Sequence, residues 1–285
     1  MGLAAGTTRL LDLARRAKFR LDQHLTVRAF QPAWIENDVA YAISIGRERL
    51  AQWEAIADRP ARVLEIGPGI NFGPQLILAG AGAAVTVADR FLTDWNRFYH
   101  PRFYRSLRDT WPGEAHMIDR VLAAGQYPPD VIRCIKQPAE KLDTVIAEPF
   151  DLVVSTAVLE HVYDVDATCR ALAHVTRSGG RHHHQIDFRD HKDFSRPLEF
   201  LLFDEKAYLR VWRDGRRGNR VRLSECLAAF RSAGFEVEHV EINARPTGAY
   251  LDDFSARLAT SQSPLRNTAP ADLEALGAAV TLRRL

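Results

Sequence analysis

The sequence predicts an α/β fold, a mostly parallel, doubly wound sheet of seven strands preceded by a helical extension. Three observations predict it. Arg62-Val-Leu-Glu-Ile-Gly67 is a short apolar strand running straight into glycines, helical spacing follows from Pro74 to Ala79, and Ala84-Val-Thr-Val-Ala-Asp89 is a second strand. Strand, glycine turn, helix and strand within about 30 residues form a βαβ unit. Five more strand-like runs follow, with helical stretches among them. The 285 residues, 46% hydrophobic and 26% charged, suffice for one large α/β core and exclude disorder, collagen and coiled coil.

The elements follow in chain order. From Thr8 to Leu25, Leu10, Leu13, Ala14, Ala17, Leu21 and Leu25 recur at helical spacing, with Arg9, Arg15, Arg16, Lys18 and Arg20 between them. This basic amphipathic helix either packs on the domain that follows, caps a substrate cleft, or contacts an anionic membrane surface peripherally through residues 8–25. A second helix is expected from Pro32 to Ala57, ending near Arg59-Pro60, so residues 1–59 read as a helical cap and 60–285 as the main domain. Gly80 and Gly82 stop the helix of the βαβ unit. Later strands are expected at Ile132–Lys136, Phe150–Ser155, Arg181–Phe188, Phe235–Ile242 and Ala278–Leu282, the last two close enough to pair antiparallel. Helices are expected at Asp164–Val175 and at Ser224–Ala233, with Ser224 as N-cap and Gly234 as C-cap. Insertions at about 91–131 and 189–223 exceed ordinary connections. The first carries Phe91, Trp95, Phe98, Tyr99, His100, Phe103, Tyr104 and Trp111; the second carries Phe194, Phe200, Phe203, Tyr208 and Trp212. Such excursions build substrate pockets or pack as extra core.

Charge and cysteines narrow the function classes. Lys and Arg number 38 against 36 Asp and Glu, a net charge of +2, which argues against a protein held by nucleic-acid phosphates. Arg213, Arg216, Arg217, Arg220 and Arg222 face one acid, Asp214, and read either as a solvated loop or as a site for phosphate or carboxylate. Cys134, Cys169 and Cys226 stand far apart, so no zinc site or disulfide framework is expected. With no signal-peptide pattern and no apolar run approaching about 18 residues, a soluble cytoplasmic protein is expected.

Glu65-Ile-Gly67-Pro68-Gly69-Ile-Asn71-Phe-Gly73 sits where the first strand meets the first helix. Glycines let a ligand approach the main chain, and the helix N-terminus offers free N–H groups. Asp89 ends the second strand, where a carboxylate can accept both ribose hydroxyls. Together they indicate a nucleoside-containing cofactor. The glycines at 67, 69 and 73 displace the third position of the dinucleotide fingerprint, which argues against a pyrophosphate and favours an amino-acid tail.

Val63-Leu-Glu-Ile-Gly-Pro-Gly69, Ala88-Asp89, Gln137-Pro-Ala-Glu140 and Phe150-Asp-Leu-Val-Val-Ser-Thr-Ala-Val-Leu-Glu-His-Val162 resemble the successive cofactor motifs of class I S-adenosylmethionine-dependent methyltransferases. The resemblance covers about Pro60 to Leu285 and implies a Rossmann-like sheet in order 3-2-1-4-5-7-6, strand 7 antiparallel. It implies S-adenosyl-L-methionine as cofactor. Glu65, Gly67 and Gly69, with Pro68 and Asn71, would line its methionine part; Asp89, followed by Arg90, would hold the ribose. Ala139 with Glu140 would flank adenine, and Ser155, Thr156 and Ala157 would close the pocket. The family often has Gly-Asp-Ala where this chain has Gln137-Pro138-Ala139, so Gln137 or Glu140 would replace the acidic partner of the adenine amine.

Methyl transfer is an in-line displacement accelerated chiefly by positioning, and a hydroxyl acceptor also benefits from a base. Arg181-His182-His183-His184-Gln-Ile-Asp187-Phe-Arg-Asp190-His191 ends where ligands bind in open sheets. The catalytic candidates are His161, His184, Asp187 and His191. A His and Asp pair there serves as base and orienter, or as a network anchoring the loop. His182 and His184 share one strand face and His183 the other, and same-strand neighbours rarely complete a metal site, so no metal is expected. The resulting expectation is O-methylation of a small molecule, a glycan or a lipid-linked sugar. The alternatives are a non-catalytic S-adenosylmethionine-binding protein that binds a partner, and an oxidoreductase using a nicotinamide dinucleotide, which would have to tolerate the displaced third glycine.

Overall fold

The computed structural model describes residues 21–56, 61–212 and 218–285. Most of the basic helix expected at 8–25, and Arg213, Arg216 and Arg217 of the arginine run, lie outside the described residues. No helix among the described residues is long and apolar enough to cross a membrane.

Strands β1 (Arg62–Ile66), β2 (Ala84–Ala88), β3 (Arg133–Ile135), β4 (Phe150–Thr156), β5 (Thr176–Asp187), β6 (Phe235–Ala244) and β7 (Gly277–Arg284) form one sheet in the order β3-β2-β1-β4-β5-β7-β6. β4 runs parallel to β1 and β5, whereas β7 is antiparallel to both β5 and β6. This is the mixed, Rossmann-like order that the family resemblance implies. β1 and β4 are buried along nearly their whole length, which explains their unbroken apolar runs. β5 starts earlier than expected, because its register on β4 jumps between Thr176 and Arg181. Gly179, at φ +78°, and Gly180 make that irregularity and interrupt the apolar pattern.

The chain divides into two compact units. Of the described residues, the first holds 21–56, 61, 68–87 and 91–135. Within it α1 (Pro32–Glu54) packs on α2 (Gly73–Gly80) and α3 (Tyr99–Thr110), and α4 (His116–Ala124) packs on α2 and α3. Gly46 permits this approach, since a Cβ there would lie 2.5 Å from Ile77 Cδ1. The insertion at 91–131 is therefore built around two helices, and Tyr99, Phe103 and Tyr104 are fully buried among them.

Of the described residues, the second unit holds 62–67, 88–90, 136–212 and 218–285. Here α5 (Val165–His174) is capped by Asp164, whose carboxylate accepts from Ala167 N at 2.8 Å, and packs on the 3-10 turn Ala139–Thr144. α6 (Glu205–Trp212) lies in the second insertion, and α7 (Leu223–Ser232) packs on α5 and β6. α7 begins at Leu223, so Ser224 is not its N-cap; the Ser224 hydroxyl donates to Asp272 instead. Two helices not expected from the sequence, α8 (Gly248–Ala259) and α9 (Pro270–Glu274), connect β6 to β7. Leu198, Phe200, Leu201, Tyr208, Phe254, Leu258, Leu273 and Leu276 form a core of their own, so much of the second insertion is packed interior. Two arginines of the run belong to that interior. Arg220 lies 3.6 Å from the Tyr208 ring centroid and pairs with Glu205, and Arg222, 2% exposed, donates to the carbonyls of Phe188, Asp272 and Ala275.

Candidate functional site

In the first unit the glycine turn is braced by the aromatic insertion. Thr93 Oγ1 donates to Gly69 O at 3.3 Å, and the Tyr104 hydroxyl accepts from Phe72 N at 3.2 Å. His100 accepts from Asn96 N through Nδ1, at 2.7 Å, which leaves Nε2 to donate to Ile70 O at 3.0 Å. Burial pushes His100 down to about 4, so its imidazole is neutral at pH 7. Asn71 donates to the Tyr99 hydroxyl at 3.0 Å and accepts from Gly73 N; Tyr99 in turn donates to Asp38, which Arg28 holds through a two-pronged pair. The Asn71 side chain is thus engaged in shaping the turn. Pro68 is buried, while Gly69 is exposed at φ +79° with no heavy atom within 4 Å of a Cβ built there. That open space is what close ligand approach to a main chain requires.

In the second unit Glu65 is 4% exposed on β1, and Gly67 leaves that strand at φ +66° with its N–H on Ala88 O at 2.9 Å. A Cβ on Gly67 would lie 2.3 Å from Val158 Cγ2 and 3.6 Å from Asp89 Oδ2, so the structure brings the turn, the half-buried Asp89 and the exit of β4 together. Carboxylates at 65 and 89 around a glycine turn are donor-seeking groups suited to an ammonium and to ribose hydroxyls. Ala139 is buried at the start of its 3-10 turn. Glu140 is committed to protein: Oε1 accepts from Tyr163 N at 2.7 Å and Oε2 faces Arg90 at 3.5 Å, while Arg90 stacks 3.8 Å from the Tyr163 ring. Ser155, fully buried, spends its hydroxyl on His184 Nδ1 at 2.8 Å. Thr156 is half-buried and Ala157 exposed at φ +54°, a backbone conformation uncommon outside glycine.

The structure brings together His161, Asp187 and His191, and it leaves His184 apart from them. His184 lies on the buried face of β5, 1% exposed, stacked on Phe230 and hydrogen-bonded to His182, which reaches Thr176 in turn. His183 points the other way and meets Thr281. Asp187 ends β5 in a bidentate pair with Arg189, at 2.8 and 2.7 Å, and its Oδ2 lies 3.5 Å from His191 Nε2. Although burial opposes it, hydrogen bonds from Arg189 and His191 hold the Asp187 carboxyl well below the usual carboxylate range. The same contact raises His191. His161 packs edge-on against the His191 ring at 4.8 Å.

Sequence reasoning missed Glu160, which lies in the same cluster. It follows β4 in the 3-10 turn Leu159–His161, is 3% exposed, and neither carboxylate oxygen has a hydrogen-bond partner among the described residues. Burial pushes its carboxyl up to about 8. The Leu-Glu-His sequence at 159–161 was legible, but only the fold shows its glutamate turned inward toward His191, whose Nε2 is 4.0 Å away.

Comparison with known proteins supplies a family. The family model described as a methyltransferase domain matches residues 35–240. A search of the curated proteins returns no match. Among solved structures, a putative sarcosine dimethylglycine methyltransferase from Galdieria sulphuraria is 13% identical with TM-score 0.46, over 83% of this chain and 84% of that one. An S-adenosylmethionine-dependent methyltransferase from Mesorhizobium loti is 18% identical with TM-score 0.43, over 82% and 96%. Magnesium protoporphyrin IX methyltransferase from Synechocystis, solved with S-adenosylhomocysteine, is 12% identical with TM-score 0.45, over 88% and 87%.

Proposed function

The chain belongs to the methyltransferase-domain family and is a class I methyltransferase that uses S-adenosylmethionine, and we propose that it methylates a hydroxyl oxygen of a small molecule or glycan, lipid-linked sugars included. Glu65 and Gly67, with Pro68, Gly69 and Asn71 next in the chain, would hold the methionine part; Asp89 and Arg90 would hold the ribose; Ala139 and Glu140 would flank the base, and Ser155 to Ala157 would close the pocket. When bound, S-adenosylmethionine supplies a methyl group activated by its sulfonium.

The chain's own contribution is the acceptor side. Glu160, His161, Asp187 and His191 gather after the C-terminal ends of β4 and β5, the edge where open α/β sheets bind ligands. One observation carries the reading: neither oxygen of the buried Glu160 carboxyl hydrogen-bonds a side chain among the described residues, and His191 Nε2, on Asp187, lies 4.0 Å from Glu160 Oε1. Buried polar atoms left without partners cost free energy, and a bound hydroxyl would satisfy them. Asp187 orients His191, and Arg189 fixes Asp187.

Calorimetric titration with S-adenosylhomocysteine tests the cofactor half: wild type binds and Asp89→Ala weakens binding at least tenfold. Methylation of a panel of hydroxylated acceptors tests the other half. His191→Asn and Asp187→Asn are expected to lower turnover on the order of 100-fold, the usual scale for a lost acid–base group, with S-adenosylhomocysteine affinity unchanged. Full turnover in both variants would remove this acceptor assignment.

A further inference from the structure

We propose that Glu160, His161 and His191 form a binding site for a divalent transition-metal ion. Each offers one ligand atom, and these atoms all lie within 4.8 Å of one another. Two ligands about 2.1 Å from one ion stand ~3 Å apart, so modest side-chain rotations close the set. Two imidazoles with one carboxylate suit manganese, iron, cobalt or zinc better than magnesium or calcium, which prefer oxygen throughout.

The independent observation is Glu160 itself. A carboxylate 3% exposed, with both oxygens lacking a hydrogen-bond partner among the described residues, is an expensive arrangement unless a cation completes it. The surrounding backbone is arranged to hold it there. Asn219 Nδ2 donates to Leu159 O and Val162 O at 2.8 and 3.1 Å, and Asn219 N donates to Glu160 O at 2.6 Å. Ala157, at φ +54°, is tied to β5 through Gln185 O at 2.9 Å. Arg189 pairs with Asp187 in a bidentate contact, so Glu160 is the carboxyl of the cluster without an arginine, and a bound cation would take the place of its proton. Asp187 lies 3.5 Å from His191 Nε2, so an ion would either take Nδ1 with Asp187 on the opposite nitrogen or displace the Nε2 proton that faces Asp187.

What the ion does rests on the methyltransferase reading; whether it binds does not. Three protein ligands leave coordination positions open, and two adjacent hydroxyls of a sugar can fill them, in which case the ion and not the free Glu160 and His191 atoms holds the acceptor. The substrate class is then an acceptor that chelates through neighbouring oxygens.

The test uses the full chain, stripped with chelator and dialysed against cobalt(II) at pH 7.5, with bound metal counted and its visible absorption recorded. Wild type is expected to bind one equivalent with bands that show nitrogen ligation. Glu160→Gln, close in volume, and His161→Gln should each weaken binding at least tenfold, while His183→Asn on β5 leaves it unchanged. Far-UV circular dichroism shows which variants are folded, and if Glu160→Gln is not, His161→Gln decides. No cobalt bound by wild type, or equal binding in folded Glu160→Gln or His161→Gln, overturns the proposal. S-adenosylhomocysteine titration of the same samples reports separately on the methyltransferase reading.

Discussion

Gly67 and Gly69 both hold positive φ in one turn, yet the structure assigns alanine very different costs at the two positions. At Gly69, φ is +79° and a Cβ meets nothing within 4 Å, so the penalty is the left-handed backbone alone, roughly 1–2 kcal/mol. At Gly67, φ is +66° and the Cβ falls 2.3 Å from Val158 Cγ2, far inside the ~3.5–4 Å of a favourable carbon contact. Overpacking of that kind adds about 1–3 kcal/mol. Gly67→Ala should therefore be the more damaging by about 1–3 kcal/mol in urea denaturation, with unchanged m-value. A double-mutant cycle isolates the clash: in a Val158→Ala background, Gly67→Ala should cost only the backbone share. Gly69→Ala should stay folded and still lose affinity for S-adenosylhomocysteine by calorimetry, since its methyl fills space a ligand must approach. Equal destabilisation by the two substitutions, or a Gly67→Ala cost that Val158→Ala does not reduce, refutes the reasoning.

Three further outcomes follow from buried polar groups. Arg222→Met leaves the carbonyls of Phe188, Asp272 and Ala275 without their shared donor and should cost about 3 kcal/mol or more by urea denaturation, cofactor present or absent. Tyr99→Phe breaks the path from Asp38 to Asn71 and should cost about 1–2 kcal/mol; weakened S-adenosylhomocysteine binding beyond that stability loss would show that Asn71 positions the turn for the ligand. His100, held down to about 4 by burial, is neutral in the folded chain while the unfolded histidine titrates near 6.5. Below that unfolded value only the unfolded chain takes up the proton, so stability falls as pH drops from about 6.5 to 4, by about 3 kcal/mol from this group. The slope should flatten in His100→Gln when the two denaturation series are subtracted.

The sheet was legible in the sequence because its central strands are buried on both faces and therefore read as unbroken apolar runs, as in Phe150 to Ser155. β5 was legible only from Arg181, since the bulge at Gly179 and Gly180 removes the alternation that reveals a strand. α8 escaped because residues such as Phe254 and Leu258 pack on Leu198, Phe200 and Leu201 from another insertion, a partnership that no local periodicity encodes. The same limit explains the site. Alternation along β5 separates His184 from Asp187 onto opposite faces, so neighbours in sequence became an interior hydrogen-bond partner and an edge carboxylate respectively. Glu160 shows the converse. A charged residue ordinarily reads as surface, and only the three carbonyls gripped by Asn219, some 60 residues away, explain why this carboxylate is buried. Long-range polar contacts of this kind leave no period in a sequence, and in this chain they determine which side chains reach the acceptor edge.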